Sequence, residues 1–142
     1  MKKTALISIL VIMVSLSGRA QPSWRVSHGV NLTADKVKML CKTWKLDSVE
    51  MFDVAHTANA KEKGDCVTFN TDGSFLITTE GVSGSGTWKA AGVYLNTVSK
   101  SSGATTETKM LFKAISIEAN KLVLDYQTPD LITVRYTYLL KE

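Results

Sequence analysis

The chain has 142 residues, with 17 Lys and Arg against 13 Asp and Glu, two histidines and two cysteines. That length supports one core and not two. Three of the basic residues (Lys2, Lys3, Arg19) fall in an N-terminal segment read below as removable; taking them from the 17 leaves 14 against 13, and the remaining lysines are too scattered to form the basic face a nucleic-acid binder needs.

In chain order, Lys2 and Lys3 precede an apolar run from Ala5 to Val14 and the small-residue stretch SLSGRA. Residues 1–20 therefore read as a secretory signal peptide cut after Ala20. The run is about half of the roughly 20 residues a spanning helix needs, so no membrane anchor is expected after cleavage. No cysteine stands at the new N-terminus to carry a lipid, and the expected location is exported, periplasmic or secreted. Residues 21–32, QPSWRVSHGVNL, have neither helical nor strand period and read as a leader arm. From Thr33, TADKVKMLCK places Val37, Leu40 and Cys41 at helical spacing behind a Thr cap with Asp35 in the first turn, which predicts a short helix of about two turns.

Residues 33–142 form the domain, and after the helix everything reads as strands. The segments 44–52, 66–70, 74–79, 85–89, 93–98, 108–117, 121–126 and 131–140 are rich in Val, Ile, Thr, Phe and Tyr. Between them lie NTDG, EGVSG, KAAG, SKSSGATTE, EANK and QTPD, which are turn chemistry. The predicted fold is all-β: an eight-stranded antiparallel up-and-down barrel preceded by a short N-terminal helix. In such a meander NTDG, KAAG and EANK share one end, and all three are tight. The segments 53–64 and 99–107 share the other end and are long, so one end reads as a closed floor and the other as an open rim. The triplet Thr-Trp-Lys occurs twice, around Trp44 and Trp88. Both indoles fall at the floor, each able to bury on the order of 200 Å², with Gly86 read as leaving room for a neighbouring ring.

Cys41 lies before the first strand at the floor, and Cys66 opens the second near the rim. About nine residues of strand, roughly 30 Å, would separate them, whereas a disulfide tolerates about 7 Å between Cα atoms; a bridge is not expected despite the exported context. Alternation from Trp44 points Ser48, Glu50 and Phe52 inward, unless the strand bulges and turns Glu50 to water, which is the preferred reading. On the other strands Val67, Phe69, Phe75, Ile77, Leu122, Leu124, Tyr126, Ile132 and Val134 point in. Met110 and Phe112 alternate one way and Leu111, Ile115 and Ile117 the other, which predicts a bulge near Lys113.

TWKLDSV, CVTFNTDGSFLITTEG, GSGTWKAAGVYL, KLVLDY and TVRYTYLLKE, in that order over residues 40–141, resemble bacterial lipocalin-like domain proteins, small exported barrels common in Bacteroidetes. The resemblance implies an eight-stranded calycin-like barrel whose open end takes a small apolar molecule. Lys42 stands where lipocalins proper have the glycine of G-x-W, their T-D-Y motif is absent, and Arg135, the one candidate to cover the floor tryptophan, faces outward by alternation.

No catalytic or metal site is expected, and no cofactor. His28 and His56 lack Cys, His, Asp or Glu partners at ligand spacing, and no serine sits in a nucleophile elbow. SGSG at 83–86 is followed by no helix that would make it a phosphate cradle. The expected function is the binding of a small hydrophobic or amphipathic molecule at the open end by Phe52, Val67, Ile77, Leu124, Tyr126, Ile132 and Val134, with the 53–64 loop as lid. The alternative is a solid barrel acting on a protein partner of unknown identity, for example as an exported protease inhibitor whose leader arm enters the enzyme's cleft.

Overall fold

A computed structural model describes residues 28–142. The expected signal peptide, Trp24 and most of the expected leader arm lie outside the described residues. The chain runs through α1 (Ala34–Leu40), β1 (Thr43–Met51), β2 (Val54–Thr57), a 3₁₀ turn (Glu62–Gly64), β3 (Cys66–Phe69), β4 (Ser74–Thr79), β5 (Val82–Ala91), β6 (Tyr94–Ser101), β7 (Thr108–Ile117), β8 (Lys121–Gln127) and β9 (Thr133–Leu140). From β3 to β9 each strand pairs antiparallel with the next, and β1 closes the cylinder by pairing with both β3 and β9. Eight strands thus form the expected barrel, and among the described residues the wall is closed except where β2 intervenes.

That exception is the part of the wall the alternating pattern did not reveal. The first half of β1 pairs with β3 (Thr43↔Thr68 to Lys45↔Cys66), and its second half pairs with β2 (Ser48↔Thr57 to Met51↔Val54). Cys66 therefore stands opposite Lys45, four residues along the strand from Cys41, and the separation expected from the strand count was too long. Both cysteines are free.

The floor is built as expected, and its parts are identifiable. Trp44 is fully buried and donates its Nε1–H to the Leu40 carbonyl at 2.8 Å; Trp88 donates its own to the Asn70 carbonyl at 2.9 Å. Phe69 packs with its ring 5.1 Å from Phe75 and edge-on to Trp88 at 5.5 Å. Over this aromatic layer sits α1, capped by the Thr33 hydroxyl, which accepts from Lys36 N–H. The helix buries Leu40, and Lys36 Nζ reaches the Ile117 carbonyl at 2.8 Å. Lys42 puts Nζ 5.9 Å from the centre of the Trp44 ring and 3.0 Å from the Ala119 carbonyl, so a lysine gives the floor tryptophan a cation–π cover, while Arg135 pairs with Asp125 on the outer wall.

Gly86 has a different purpose from the one expected. A Cβ there would come within 1.7 Å of the Val98 carbonyl oxygen and 2.7 Å of Ser99 Cα. What the glycine permits is the close approach of the β6 backbone, not space for a ring.

Two bulges set which residues face the lumen. In β1 the register against β9 shifts between Leu46 and Ser48, so Val49 is buried and Glu50 turns to the outer wall, opposite Arg135. In β7 the register shifts between Ala114 and Ser116, one to three residues past the expected position, and passes the inward role from Phe112 and Ala114 to Ile117. The end of the expected leader arm is fixed in place: Val30 N–H donates to the Ala114 carbonyl at 2.7 Å, Leu32 N–H to the Gly92 carbonyl at 2.8 Å, and Leu32 packs on the core.

Candidate functional site at the barrel mouth

The interior divides by depth. Toward the floor, Trp44, Leu46, Phe69, Phe75, Leu95, Ile117 and Leu122 are all at most 6% exposed. Toward the rim, the inward positions Ile77, Met110, Tyr126 and Tyr136 are half-buried, packed on the core from above. The two sides of the mouth differ in bulk. Above the level of Trp88 and Leu95 the inward residues of β5 and β6 are Gly84, Gly86, Thr97 and Ser99, and the upper inward residues of β7 to β9 are Met110, Phe112, Tyr126, Val134 and Tyr136. Phe112 is the centre of the aromatic side, 5.9 Å from the Tyr126 ring and 6.4 Å from that of Tyr136, which stacks at 6.2 Å on Tyr138. Small residues on β5 and β6 thus face large rings on β7 to β9 across the barrel.

Electrostatics mark how dry this end is. Burial pushes the Tyr136 phenol above its ordinary pKa, with Tyr126 and the Glu62 carboxylate adding to the effect; Tyr138 deeper down is raised further, chiefly by burial. Both stay protonated at neutral pH and keep a hydroxyl donor inside an apolar wall.

The 53–64 segment is not a loose lid. Its first part is a hairpin with Phe52 and Asp53 at positive φ (54° and 60°), as a two-residue turn of this hand requires. The second part is held by a reciprocal cap: Asn59 Oδ1 accepts from Lys61 and Glu62 N–H, and Glu62 Oε2 accepts from Asn59 N–H at 2.9 Å. His56 Nε2 lies 3.6 Å from the same carboxylate. Asp65, at the end of this segment, accepts from Glu80 N–H at 2.6 Å and so ties it to the β4–β5 turn. Ala58 packs on the core, so the segment is a fixed shoulder of the mouth.

The expected site residues are distributed as follows. Ile77, Tyr126 and Val134 stand at the mouth. Val67 and Leu124 point inward but are 3% and 1% exposed, part of the packed core below it. Ile132 precedes β9 in a tight loop, half-buried, its N–H received by Thr128 Oγ1 at 3.1 Å. Phe52 does not point inward at all. The β1 bulge reverses the parity counted from Trp44, and Phe52 sits 73% exposed at the hairpin tip. Met110 and Tyr136 also stand half-buried at the mouth and were not among the expected site residues, although a Met-Leu-Phe run beside a predicted bulge and the alternation of TVRYTYLL both carried them.

Elsewhere, a groove of about 980 Å³ opens on the outer face of β1, lined among others by Lys45, Asp47, Lys63, Cys66, Leu139 and Lys141. Its charges are mixed, with Lys45, Lys63 and Lys141 beside Asp47 and Glu142. Among the described residues no group of three His, Cys, Asp or Glu side chains is placed to hold a metal, and no helix is long and apolar enough to cross a membrane. No protein-family model matches the chain, and a search of curated proteins returns no match.

Proposed function

We propose that this barrel binds one small hydrophobic or amphipathic molecule at its mouth, between the small-residue wall of β5 and β6 and the aromatic wall of β7 to β9. The observation that carries the reading is the change in exposure with depth: a closed aromatic floor under half-buried Ile77, Met110, Tyr126 and Tyr136. The contacts we assign are these four with Val134 at the rim end of β9, and the Tyr126 and Tyr136 hydroxyls would orient a polar group. The resemblance to lipocalin-like domain proteins and the expected export belong to the same reading, since a poorly soluble ligand is what an exported barrel would carry. The protease-inhibitor reading is weakened by the end of the leader arm, where Val30 and Leu32 are bonded to the barrel itself.

Titration with a fluorescent fatty-acid probe tests this. Saturable, displaceable binding is expected, weakened about tenfold by Tyr136→Ala through the loss of a ring worth about 1.5 kcal/mol or more of contact. Tyr136→Phe separates the hydroxyl from the ring. Absence of saturable binding across apolar probes of different head group would overturn the proposal.

A further inference from the structure

Two loop tips flank the mouth on the side where β1 meets β9, and both are built against ordinary preference. The β1–β2 tip carries Phe52 (73% exposed) and Val54 (68%), with Met51 (38%) beneath; the β8–β9 tip carries Leu131 (75%). Met51 pairs with Val134, which brings the two tips side by side. Phe52 and Leu131 both adopt positive φ, 54° and 62°. That region is strained for a bulky side chain and is ordinarily given to Gly, Asn or Asp. At each tip a strained backbone carries a large apolar group, and neither gains burial among the described residues in return.

We infer that these tips seat the barrel mouth on the surface of a zwitterionic lipid bilayer. Size and shape favour this over a protein partner. The four side chains offer on the order of 100 Å² each, roughly half of the about 800 Å² that each side of a specific protein interface buries. They stand on two projecting turns, the form that enters an interfacial layer. Asp53 and Asp130 adjoin the apolar tips, so an anionic surface is disfavoured. The inference goes beyond the mouth's ligand and holds whether or not the lumen is occupied, since the tips lie outside it.

Hydrogen exchange of the full chain with and without phosphatidylcholine vesicles reads the tips directly and separately from the N-terminal residues. Slower exchange is expected at 51–54 and 130–132 when vesicles are present, and the effect should diminish as phosphatidylglycerol is mixed in. In the double variant Phe52→Asn, Leu131→Asn the protection should vanish and the vesicle-bound fraction from the tips should fall about tenfold. Its Tm should be no lower than wild type, because asparagine tolerates this backbone region better than Phe or Leu. Unchanged exchange at both tips in wild type, or protection that survives in the variant, would overturn the inference. So would sedimentation showing a wild-type dimer that the two asparagines dissolve, since the tips would then be a self-interface.

Discussion

Asp65 is a carboxylate placed where ionisation is disfavoured. It is 7% exposed, and burial raises its pKa, with the charges of Glu62 and Glu80 acting in the same direction and the hydrogen bond from Glu80 N–H opposing them. The folded chain thus holds this proton to higher pH than the unfolded chain, whose aspartates ionise near pH 4. Stability supplied by this residue is therefore present below about pH 4 and is lost as pH rises through the folded pKa. Asp65→Asn keeps an acceptor for Glu80 and removes the charge. Denaturant midpoints at pH 7 are expected to be equal to wild type or higher, with the decline above pH 4 flattened. A lower midpoint at pH 7 with the slope unchanged would show instead that the charge in the 2.6 Å bond outweighs its burial. Asp72, in the β3–β4 turn at the other end, has the opposite sign: Ser74 donates to it and lowers its pKa, so its contribution is lost as pH falls.

At the scale of elements, the short helix α1 shows how sequence and fold connect. Seven residues are too few to be helical alone, so the element exists because Leu40 and the Trp44–Leu40 hydrogen bond fix it on the floor. Leu40→Ala should cost about 3 kcal/mol, a transfer loss plus a cavity that the surrounding rings cannot fill. Chemical denaturation would read it, and a loss under about 1 kcal/mol would mean the helix is an ornament and the floor stands without it. This floor was legible because its signals are local: a Thr cap, tight polar turns, and Trp44 and Trp88 at the same end of an alternating meander. What was not legible depended on pairing at a distance. The bulge at Asp47 reverses parity within a strand of nine residues, so a period-two count carried Phe52 to the wrong side. β2 has four residues, all exposed, and no alternation to announce it. Because β1 changes partner halfway, Cys66 fell at mid-wall and not at the rim. Gly86 could be recognised as special, but its reason lies in the β6 backbone, which no neighbouring residue indicates.

Across the whole molecule, closure depends on one seam, where β1, the strand with three partners, meets β9, the last strand of the barrel. The outer wall carries a row across it: Lys113 opposite Asp125, Asp125 opposite Arg135, and Arg135 opposite Glu50 on β1. Its centre is a two-pronged pair, with Arg135 Nε and an Nη donating to the two Asp125 carboxylate oxygens at 2.7 and 2.9 Å. Asp125 is 6% exposed although it faces outward, so its charge depends on its partners more than a surface acid would. The hydrogen bonds it donates to Asp125, and the nearby Glu50 and Asp53 carboxylates, hold the Arg135 guanidinium even more firmly protonated than usual. Arg135→Met should therefore destabilise by about 2 kcal/mol, less than the loss of a fully buried pair because part of the arginine reaches solvent. Adding Asp125→Asn should recover part of that loss, since the stranded charge is then gone. Equilibrium unfolding of the two single variants and the double closes the cycle. Strict additivity would mean the pair is not what holds β8 to β9 beside the seam, and the closure would then rest on the inward stack of Val49, Tyr136 and Tyr138 alone.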